Sequence, residues 1–349
     1  MANEPTIRWV DPLSCDDMRL SGFAFINENK DYHRLSNREQ ARIKKANPEV
    51  WRLSTHTSGG QLHFSTTSDR VIIKATIGHF EDVAAMSAIG RGGFDLCAGK
   101  TYQAQKCLGT TRFDPQTNNI EHTFDLSVFD KAAVTIDFPL YAPVESLTIG
   151  LDENTYLDTF NPYKSNTKGL IYGTSITQGA FVARPGLSFV NILSRMQMRE
   201  WYNFGFSGNG LGEEDVIDVI TDINDADVFI IDYEANAGTV GKLETTLENI
   251  ITDIRHKHSA MDIIVLSRIP YVYDELDPVK GKRRKELKVF QRDMVTKHRL
   301  AGDAHIFFVD GSSFFGSDYD KWMVDTVHPN DIGHRLIAEG IHKHMKTTS

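Results

Sequence analysis

The sequence predicts an α/β protein in which an antiparallel β-sandwich precedes a parallel sheet covered by helices on both faces. The chain has 349 residues, which is longer than one typical domain and suggests about two. Its first half contains many short strand-like segments with few helices between them. Its second half alternates strand-like and helical segments, which is the pattern of a parallel sheet. We therefore expect domains over residues 1–163 and 164–349.

Alternation of apolar and polar residues predicts the strands of the first half. The segment 60–66 alternates in this way, and the segment 70–77 follows it after a Thr-Ser-Asp turn. Further strands are predicted over 94–97, 101–108, 119–126, 133–138 and 147–151. Helices are predicted only over 37–45 and 81–88. Such closely spaced strands are typical of an antiparallel sandwich, here jelly-roll-like, which we expect to be an accessory or substrate-binding domain.

Apolar residues at three- and four-residue steps predict the helices of the second half. These helices cover 189–199, 215–223, 242–256, 284–299 and 331–345. The strands are predicted over 170–173, 201–205, 228–233, 263–267 and 306–310. This order gives a three-layer α/β/α sandwich with a parallel sheet in the middle.

Polar or glycine-rich turns follow three of these strands. The first turn carries Ser175, the second carries Gly208 and the third carries Asn236. Because the carboxyl ends of parallel strands meet at one edge of the sheet, where α/β proteins bind ligands, we expect these turns to be neighbours. Asp325 and His328 lie three residues apart in a tight loop before the last helix, and both can face the same edge.

Together the four turns indicate nucleophilic catalysis. Ser175 lies in a strand-to-helix turn, where N–H groups at the helix start can stabilise an oxyanion. Asp325 can hold one imidazole nitrogen of His328 while the other nitrogen faces Ser175, so that His328 acts as a general base. Taken singly, each of these residues is more common as a cap or a turn former. Their coincidence at one sheet edge favours the catalytic interpretation.

These turns resemble the sequence blocks of the SGNH hydrolases, the superfamily that includes the GDSL esterases. The block at 173–179 is close to the family's Gly-Asp-Ser form, with Thr174 in place of Asp. The block at 203–210 places the family glycine at Gly208, and the block at 325–329 matches the family's Asp-x-x-His-Pro.

The third block, at 234–237, departs from the family's Gly-x-Asn-Asp. Asn236 is kept, but Glu234 and Ala237 replace the family's Gly and Asp. A carboxylate beside an oxyanion would oppose its charge. We therefore expect Glu234 to point away from the oxyanion, towards Arg184 or a substrate hydroxyl.

The resemblance implies a fold and a set of roles for the second half. The fold would be a flavodoxin-like α/β/α sandwich. Ser175 would be the nucleophile, with Asp325 and His328 as the base pair. The oxyanion hole would consist of the Ser175 N–H, the Gly208 N–H and the Asn236 side chain.

The first half resembles the β-sandwich that precedes some SGNH hydrolases and acyltransferases, through its segments 92–97, 136–141 and 149–151. Family members of this form include carbohydrate acetylesterases, and a few transfer acyl groups to other acceptors. The candidate substrate-binding residues are Glu234, Tyr233, Arg184 and Trp322. Several aromatic residues are expected near the sheet edge, where they could stack on sugar rings or belong to the core: Tyr172, Phe206, Tyr233, Tyr271, Tyr273 and Trp322.

Charge and composition argue against several other classes. A net charge of -9 and a pI near 5.8 argue against nucleic acid as a partner. Neither an apolar stretch of about 18 residues nor a signal peptide is present, so we expect no membrane span and a cytoplasmic location. The cysteines, Cys15, Cys97 and Cys107, have no metal-binding spacing. The basic run 280–285 is interpreted as a solvated helix entry, with a site for an anionic substrate as the alternative.

The sequence therefore predicts a serine esterase that removes a short acyl group, acetyl in the first place, from a hydroxyl of a carbohydrate or glycoside. Its partner would be a small-molecule or oligosaccharide ester, and the chemistry needs no metal and no organic cofactor. One alternative is an acyltransferase that uses the same acyl-enzyme with another acceptor. A second alternative is a carbohydrate-binding protein whose hydrolase domain is inactive, although the presence of Ser175, Asp325 and His328 argues against it.

Overall fold

The structure is a computed structural model that describes residues 6–79, 83 and 85–348. Residues 1–5, 80–82, 84 and 349 lie outside this part of the chain, and they include three residues of the predicted helix over 81–88. Of the described residues of that segment, only Ala88 is helical, as the first residue of the helix Ala88–Gly92. Among the described residues, every helix is too short or too polar to cross a lipid bilayer.

The first half forms two antiparallel sheets around a shared core. Its strands are β1 (Ile7–Val10), β2 (Arg19–Ser21), β3 (Gln61–Thr66), β4 (Arg70–Ile77), β5 (Asp95–Gly99), β6 (Lys106–Thr110), β7 (Asn119–Asp125), β8 (Ala132–Asp137), β9 (Val144–Asp152) and β10 (Leu157–Thr159). Its helices are α1 (Ile26–Asn29), α2 (Gln40–Ala46), α3 (Pro48–Ser54) and α4 (Ala88–Gly92). One sheet has the order β1-β9-β4-β7, and the other has the order β10-β3-β8-β5-β6 with β2 also paired to β3. Their facing sides bury one apolar core, which includes Phe64, Ile73 and Phe94.

The second half is built on one parallel sheet. Its strands are β11 (Lys168–Gly173), β12 (Trp201–Gly205), β13 (Ala226–Asp232), β14 (Asp262–Ser267) and β15 (Ile306–Asp310). Its helices are α5 (Ser175–Gln178), α6 (Phe189–Gln197), α7 (Glu214–Thr221), α8 (Glu234–Ala237), α9 (Leu243–Lys257), α10 (Tyr273–Leu276), α11 (Pro278–Leu300) and α12 (Asp331–Thr348). The strand order is β12-β11-β13-β14-β15, and every neighbouring pair is parallel. The predicted α/β fold class is confirmed.

The parallel sheet lies between two helical layers because successive residues of a strand face opposite sides. In β11, Leu170 and Tyr172 face the core formed with α7, α9 and α11. Ile171 faces the opposite core, which is formed with α6 and α12. The carboxyl ends of the strands are therefore the edge that neither helical layer covers.

Local signals explain where the longest helix begins. Asp277 caps α11 by accepting hydrogen bonds from the N–H groups of Val279 and Lys280. Pro278 occupies the first turn, where its missing N–H costs nothing. As a result α11 begins six residues before the predicted helix, and the basic run 280–285 lies inside its first turns.

The first half contains elements that the sequence did not predict: β1, β2, β10, α1 and α3. The three strands and α1 have only three or four residues each, which is too few to show a periodicity, and α3 has seven. The predicted strand over 101–108 is a short turn, Tyr102–Ala104, followed by β6. Thr101 causes this break because its side chain caps the turn by accepting a hydrogen bond from the Ala104 N–H.

Arg34 connects the two halves. Its buried guanidinium donates to the carbonyl oxygens of Leu53 and His56 in the first half, at 2.6 and 2.7 Å. It also donates to those of Asn203 and Gly205 in β12, at 2.9 and 2.8 Å. Burial lowers the pKa of Arg34 to about 9. These contacts hold the carboxyl end of β12 in place, where a candidate site turn begins.

Candidate active site

Ser175 is the first residue of α5, directly after β11, and its turn is supported from within the protein. The Thr174 N–H donates to Thr177 Oγ1 at 3.3 Å. The Thr177 hydroxyl in turn donates to Asp232 Oδ2 at 2.8 Å, at the end of the neighbouring strand β13. Burial raises the pKa of Asp232 to about 7, against the hydrogen bond from Thr177, which lowers it. The turn is therefore attached to the sheet by side chains as well as by the backbone.

Asp325, His328 and Ser175 form a continuous relay of hydrogen bonds. His328 Nε2 lies 2.9 Å from Ser175 Oγ, and His328 Nδ1 lies 2.8 Å from Asp325 Oδ2. The other carboxylate oxygen of Asp325 accepts from the N–H groups of Val327 and His328, both at 2.7 Å. Partial burial acts to raise the pKa of Asp325, but these hydrogen bonds outweigh it and lower the pKa. Asp325 is therefore a carboxylate that orients the imidazole towards Ser175.

Phe181 packs on the imidazole of His328, and the sequence did not indicate this contact. The ring centroids are 4.5 Å apart and the planes are inclined by 35°. Phe181 has a φ of 68°, in the left-handed region that non-glycine residues rarely adopt. The preceding carbonyl, of Ala180, accepts a hydrogen bond from Nε2 of the buried His334 at 2.9 Å. This turn therefore holds an aromatic ring against the proposed base.

His334 is held as a neutral imidazole. Its Nδ1 accepts a hydrogen bond from the Phe189 N–H at 3.2 Å, so its proton resides on Nε2. Burial lowers the pKa of His334 to about 4. Its role is to fix the backbone behind Phe181 rather than to titrate near neutral pH.

The Gly208 and Asn236 turns meet beside Ser175. The Asn236 side-chain amide donates to the Asn209 carbonyl oxygen at 2.5 Å, and an amide has a second N–H available. Gly208 has a φ of 70°, and a side chain there would project into open space. Within the described part of the chain, the N–H groups of Ser175 and Gly208 donate to no protein acceptor. The three groups are thus free to donate to an oxyanion.

Residues of the first half support the same turns. The Tyr141 hydroxyl donates to the carbonyl oxygen of Ser175 at 3.3 Å. The Gln178 amide donates to the Leu140 carbonyl oxygen at 3.1 Å and accepts from the Ser207 N–H at 2.9 Å. The sandwich therefore packs under the turn that carries Ser175 and fixes the turn after β12 relative to it.

Glu234 points away from the candidate oxyanion donors, but its partner is not Arg184. Its Oε2 accepts from the Arg268 N–H at 2.8 Å and from the side chain of Gln291 at 2.7 Å. Its Oε1 lies 3.7 Å from Arg268 Nε. Burial raises the pKa of Glu234, and Arg268 opposes that effect. The substitution of Glu for the family glycine thus creates a buried ion pair behind the site.

Three candidate substrate-binding residues make contacts within the protein. Arg184 pairs with the buried carboxylate of Asp95 at 2.5 Å, since the chain after α5 runs against the sandwich. Tyr233 is 1% exposed and hydrogen-bonds Thr246 at 2.9 Å, because its strand-end position faces a core. Trp322 packs on the core beneath α12. Tyr233 therefore belongs to the core, as do Tyr172 and Phe206, which is the alternative that the sequence left open for these rings. The substrate contacts of Arg184 and Trp322 stay predictions.

A cavity of about 450 Å³ adjoins the loop that carries Asp325 and His328. Its lining comes from α8, the chain after β14, the first turns of α11 and this loop, and includes Glu234, Tyr271, Tyr273, Arg284, Thr326 and Val327. Among the described residues, three buried polar atoms of the lining have no hydrogen-bond partner: Tyr271 Oη, Arg284 Nη2 and Glu234 Oε1. The residues that line the cavity therefore carry two donors and one acceptor that the protein itself leaves unpaired, all of them buried.

The basic run contributes to this cavity through Lys280, Arg283 and Arg284, which the sequence placed in a solvated helix entry. Their charges are balanced, because Arg284 pairs with Asp274 at 3.3 Å and Arg283 pairs with Glu244. Among the described residues, no three His, Cys, Asp or Glu side chains are grouped so that they could hold a metal ion.

Two family profiles match the sequence. The profile of the GDSL-like lipase/acylhydrolase family matches residues 167–346. A profile for the N-terminus of SGNH-hydrolase-type esterases matches residues 7–157. No curated protein sequence matches the chain significantly.

Solved structures share the fold of both halves together. A protein assigned as a GDSL-like lipase, from Bacteroides ovatus, aligns with a TM-score of 0.87 at 24% identity over 98% of both chains. A salicylyl-acyltransferase from a tetracycline biosynthetic pathway aligns with a TM-score of 0.81 at 17% identity, over 98% of this chain and 97% of its own. A family two carbohydrate esterase from Clostridium thermocellum aligns with a TM-score of 0.60 at 15% identity, over 83% of this chain and 92% of its own.

The first profile spans more than half of the chain, from β11 to α12, and includes every turn that meets at the carboxyl edge of the parallel sheet. These observations lead to one conclusion: the chain belongs to the GDSL-like lipase/acylhydrolase family.

Proposed function

We propose that the protein is a serine esterase that removes a short acyl group from a hydroxyl of a carbohydrate or glycoside, with acetyl as the favoured acyl group. The observation that carries this proposal is the relay in which Asp325 Oδ2, His328 and Ser175 Oγ are joined by contacts of 2.8 and 2.9 Å. A carboxylate, an imidazole and a hydroxyl in this order are the components of an activated serine nucleophile.

In the first step, Asp325 accepts the Nδ1 proton of His328 in a hydrogen bond, so that the Nε2 lone pair faces Ser175. The Ser175 oxygen attacks the ester carbonyl as Nε2 takes its proton. The tetrahedral oxyanion accepts hydrogen bonds from the N–H groups of Ser175 and Gly208 and from the Asn236 amide. The imidazolium then protonates the departing alcohol, which leaves an acyl group on Ser175.

In the second step, water replaces the alcohol. His328 takes a proton from the water, whose oxygen attacks the acyl carbonyl, and the same donors stabilise the second oxyanion. The imidazolium returns the proton to Ser175 and the carboxylic acid departs. The side chains of His328 and Asp325 are 21% and 43% exposed, so water reaches this loop, which supports hydrolysis over transfer.

The cavity beside the catalytic loop supports a hydroxylated substrate. Among the residues that line it, Tyr271 and Arg284 carry buried donors and Glu234 carries a buried acceptor that the protein leaves unpaired, and hydroxyl groups of a sugar can pair with both kinds of atom. A simple anion fits less well, because the carboxylates of Glu234 and Asp274 share the cavity with the arginines. Tyr273, which is 46% exposed, adds an aromatic face at the opening. The carbohydrate esterase with a similar fold was solved in complex with cellohexaose, which supports the same substrate class.

Transfer to another acceptor is the second candidate function. The salicylyl-acyltransferase matches nearly the whole chain in fold, which supports an acyl-enzyme that an alcohol or amine intercepts.

We also propose that the partner is a small-molecule or oligosaccharide ester and that the reaction uses no cofactor. We propose a cytoplasmic location, which is consistent with three free cysteines.

The decisive experiment compares acetylated oligosaccharides with p-nitrophenyl esters of increasing acyl length. We expect the highest kcat/KM with the acetylated sugars. We also expect a fluorophosphonate to label the wild-type protein covalently, and Ser175→Ala to abolish this labelling.

Tyr271→Phe should raise KM for the sugar esters while the rate with p-nitrophenyl acetate is unchanged. Absence of labelling in folded protein would favour the carbohydrate-binding alternative. Faster turnover on addition of sugar or amine acceptors, with an acylated product, would favour transfer.

A further inference from the structure

Cys97 and Cys107 face each other across two antiparallel strands. Cys97 in β5 is the register partner of Cys107 in β6, directly beside a register shift between Leu96 and Cys97. Opposing residues of an antiparallel pair have Cα atoms about 4.5–5.5 Å apart, which lies within the range of about 4.4–6.8 Å found in disulfides. Both thiols are free. The backbone therefore already holds them at a spacing that a disulfide requires.

The pair opens onto a cavity of about 410 Å³ between the two halves. Leu96 and Ala98 of β5 face the sandwich core, so Cys97 faces the opposite way, towards the second half. Cys107 is exposed, and Cys97 is only 9% exposed behind it. Arg184, on the chain between α5 and α6, lines the same cavity. A small reagent from solvent can thus reach Cys107 first.

The surroundings shift the pKa values of the two thiols in opposite directions. The hydrogen bond from Cys97 and the charge of Arg184 lower the pKa of Cys107 to about 7, although burial and Asp95 oppose this. The hydrogen bond to Cys107 and burial raise the pKa of Cys97 well above its ordinary value. Cys107 can therefore react as a thiolate near neutral pH, while Cys97 keeps its proton until a disulfide partner lies beside it.

We propose that Cys107 and Cys97 form a redox-active dithiol that low-molecular-weight disulfides oxidise to an intramolecular disulfide. The Cys107 thiolate attacks one sulfur of the small disulfide, whose S–S bond breaks, and the first small thiolate departs and takes a proton from water. Cys97 then releases its proton to water and its sulfur attacks Cys107 Sγ, which expels the second small thiolate to be protonated in turn. Two protein thiols are oxidised and one small disulfide is reduced to two thiols. This site does not depend on the proposed esterase activity.

Glutathione disulfide is a suitable probe for the reduced, full-length protein. We expect the number of free thiols to fall from three to one, a peptide map without reductant to contain a Cys97–Cys107 link, and dithiothreitol to restore all three thiols. Cys15→Ser should respond in the same way and end without a free thiol. Cys97→Ser should stop at a glutathione adduct on Cys107, and Cys107→Ser should keep both remaining thiols.

The pH dependence of alkylation by iodoacetamide tests whether the pKa of Cys107 is lowered. Labelling of Cys107 should rise with pH around an inflection near 7, and Cys97→Ala should move that inflection upward because it removes the main cause of the low pKa. Thermal unfolding of each variant establishes that it is folded. A wild-type protein that stops at a glutathione adduct, or a link that involves Cys15, would overturn the proposal.

Discussion

The hydroxyl oxygen of Ser175 and Nε2 of His328 lie 2.9 Å apart, although 153 residues separate them in the chain. Ser175 directly follows β11, which lies second from one edge of the parallel sheet. His328 belongs to the loop before the last helix, α12. The distance lies within the range of about 2.6–3.2 Å over which a general base can take a proton directly. The relation between the two side chains therefore makes the catalytic proposal testable by single substitutions.

Removal of any member of the relay should abolish most turnover. We expect Ser175→Ala and His328→Ala to reduce kcat/KM for p-nitrophenyl acetate by at least about 10⁴-fold, and Asp325→Asn by about 10⁴-fold. The Ser175→Ala/His328→Ala double variant should be no slower than either single variant, because the residues act as one unit.

A matched control exists on the far side of the domain. His305 Nδ1 lies 2.9 Å from Asp262 Oδ1, so this pair repeats the contact between an imidazole and a carboxylate, and no hydrogen bond joins His305 to a serine of the described residues. His305→Ala should retain full turnover. Equal losses at His305 and His328 would mean that the effect comes from damage to the fold rather than from catalysis.

Asn236→Ala should lower kcat by about 10²–10³-fold with little change in KM, since an oxyanion donor acts mainly in the transition state. Steady-state kinetics with p-nitrophenyl acetate measures both parameters. Asn236→Asp should be at least as slow, because a carboxylate would face the developing negative charge. An Asn236→Ala variant with full turnover would remove this residue from the oxyanion hole.

Phe181 should act as a positioning residue for His328. Loss of the ring in Phe181→Ala frees the imidazole to rotate, and misplacement by about 1 Å can cost up to about 10²-fold in rate. Phe181→Gly should lose as much turnover but melt at a higher temperature than Phe181→Ala, because the φ of 68° favours glycine. Phe181→Tyr should keep the stacking and most of the rate. A merely structural role would make turnover follow the melting temperature through this series.

Asp232 should make stability depend on pH. Its pKa is about 7 in the folded protein and about 3.9 in an unfolded chain. Because the folded state binds the proton more tightly, ionisation of Asp232 costs folding free energy. This cost is absent below about pH 4 and is complete above about pH 7.

Asp232→Asn cannot ionise but keeps an acceptor for the Thr177 hydroxyl. Its melting temperature should therefore rise relative to wild type as the pH increases from about 4 to about 8. Circular dichroism melting curves across this range measure the difference, and Asp130→Asn, at an exposed position, is the control. A difference that stays constant with pH would contradict the raised pKa.

Much of the fold could be predicted from the sequence because it depends on local patterns. Five strands of the second half have the apolar composition of buried parallel strands, and each appears where it was expected. The short pieces β1, β2 and β10 carry too few residues for such a pattern, and they form because longer strands offer them an edge. The seven-residue helix over Pro48–Ser54 was also missed.

The sequence by itself determined the fold class and brought Ser175, Gly208, Asn236 and the Asp325–His328 loop to one sheet edge. It could do so because turns and periodicities are properties of neighbouring residues, and because parallel strands carry their following turns to the same edge. Only the tertiary structure decided which charged partners meet. Glu234 forms an ion pair with Arg268, and Arg184 forms one with Asp95. The pairing of these charges depends on the distances between segments that are remote in the sequence. It also depends on burial, because a buried charge without a partner costs folding free energy, so each buried charge pairs with the nearest opposite charge.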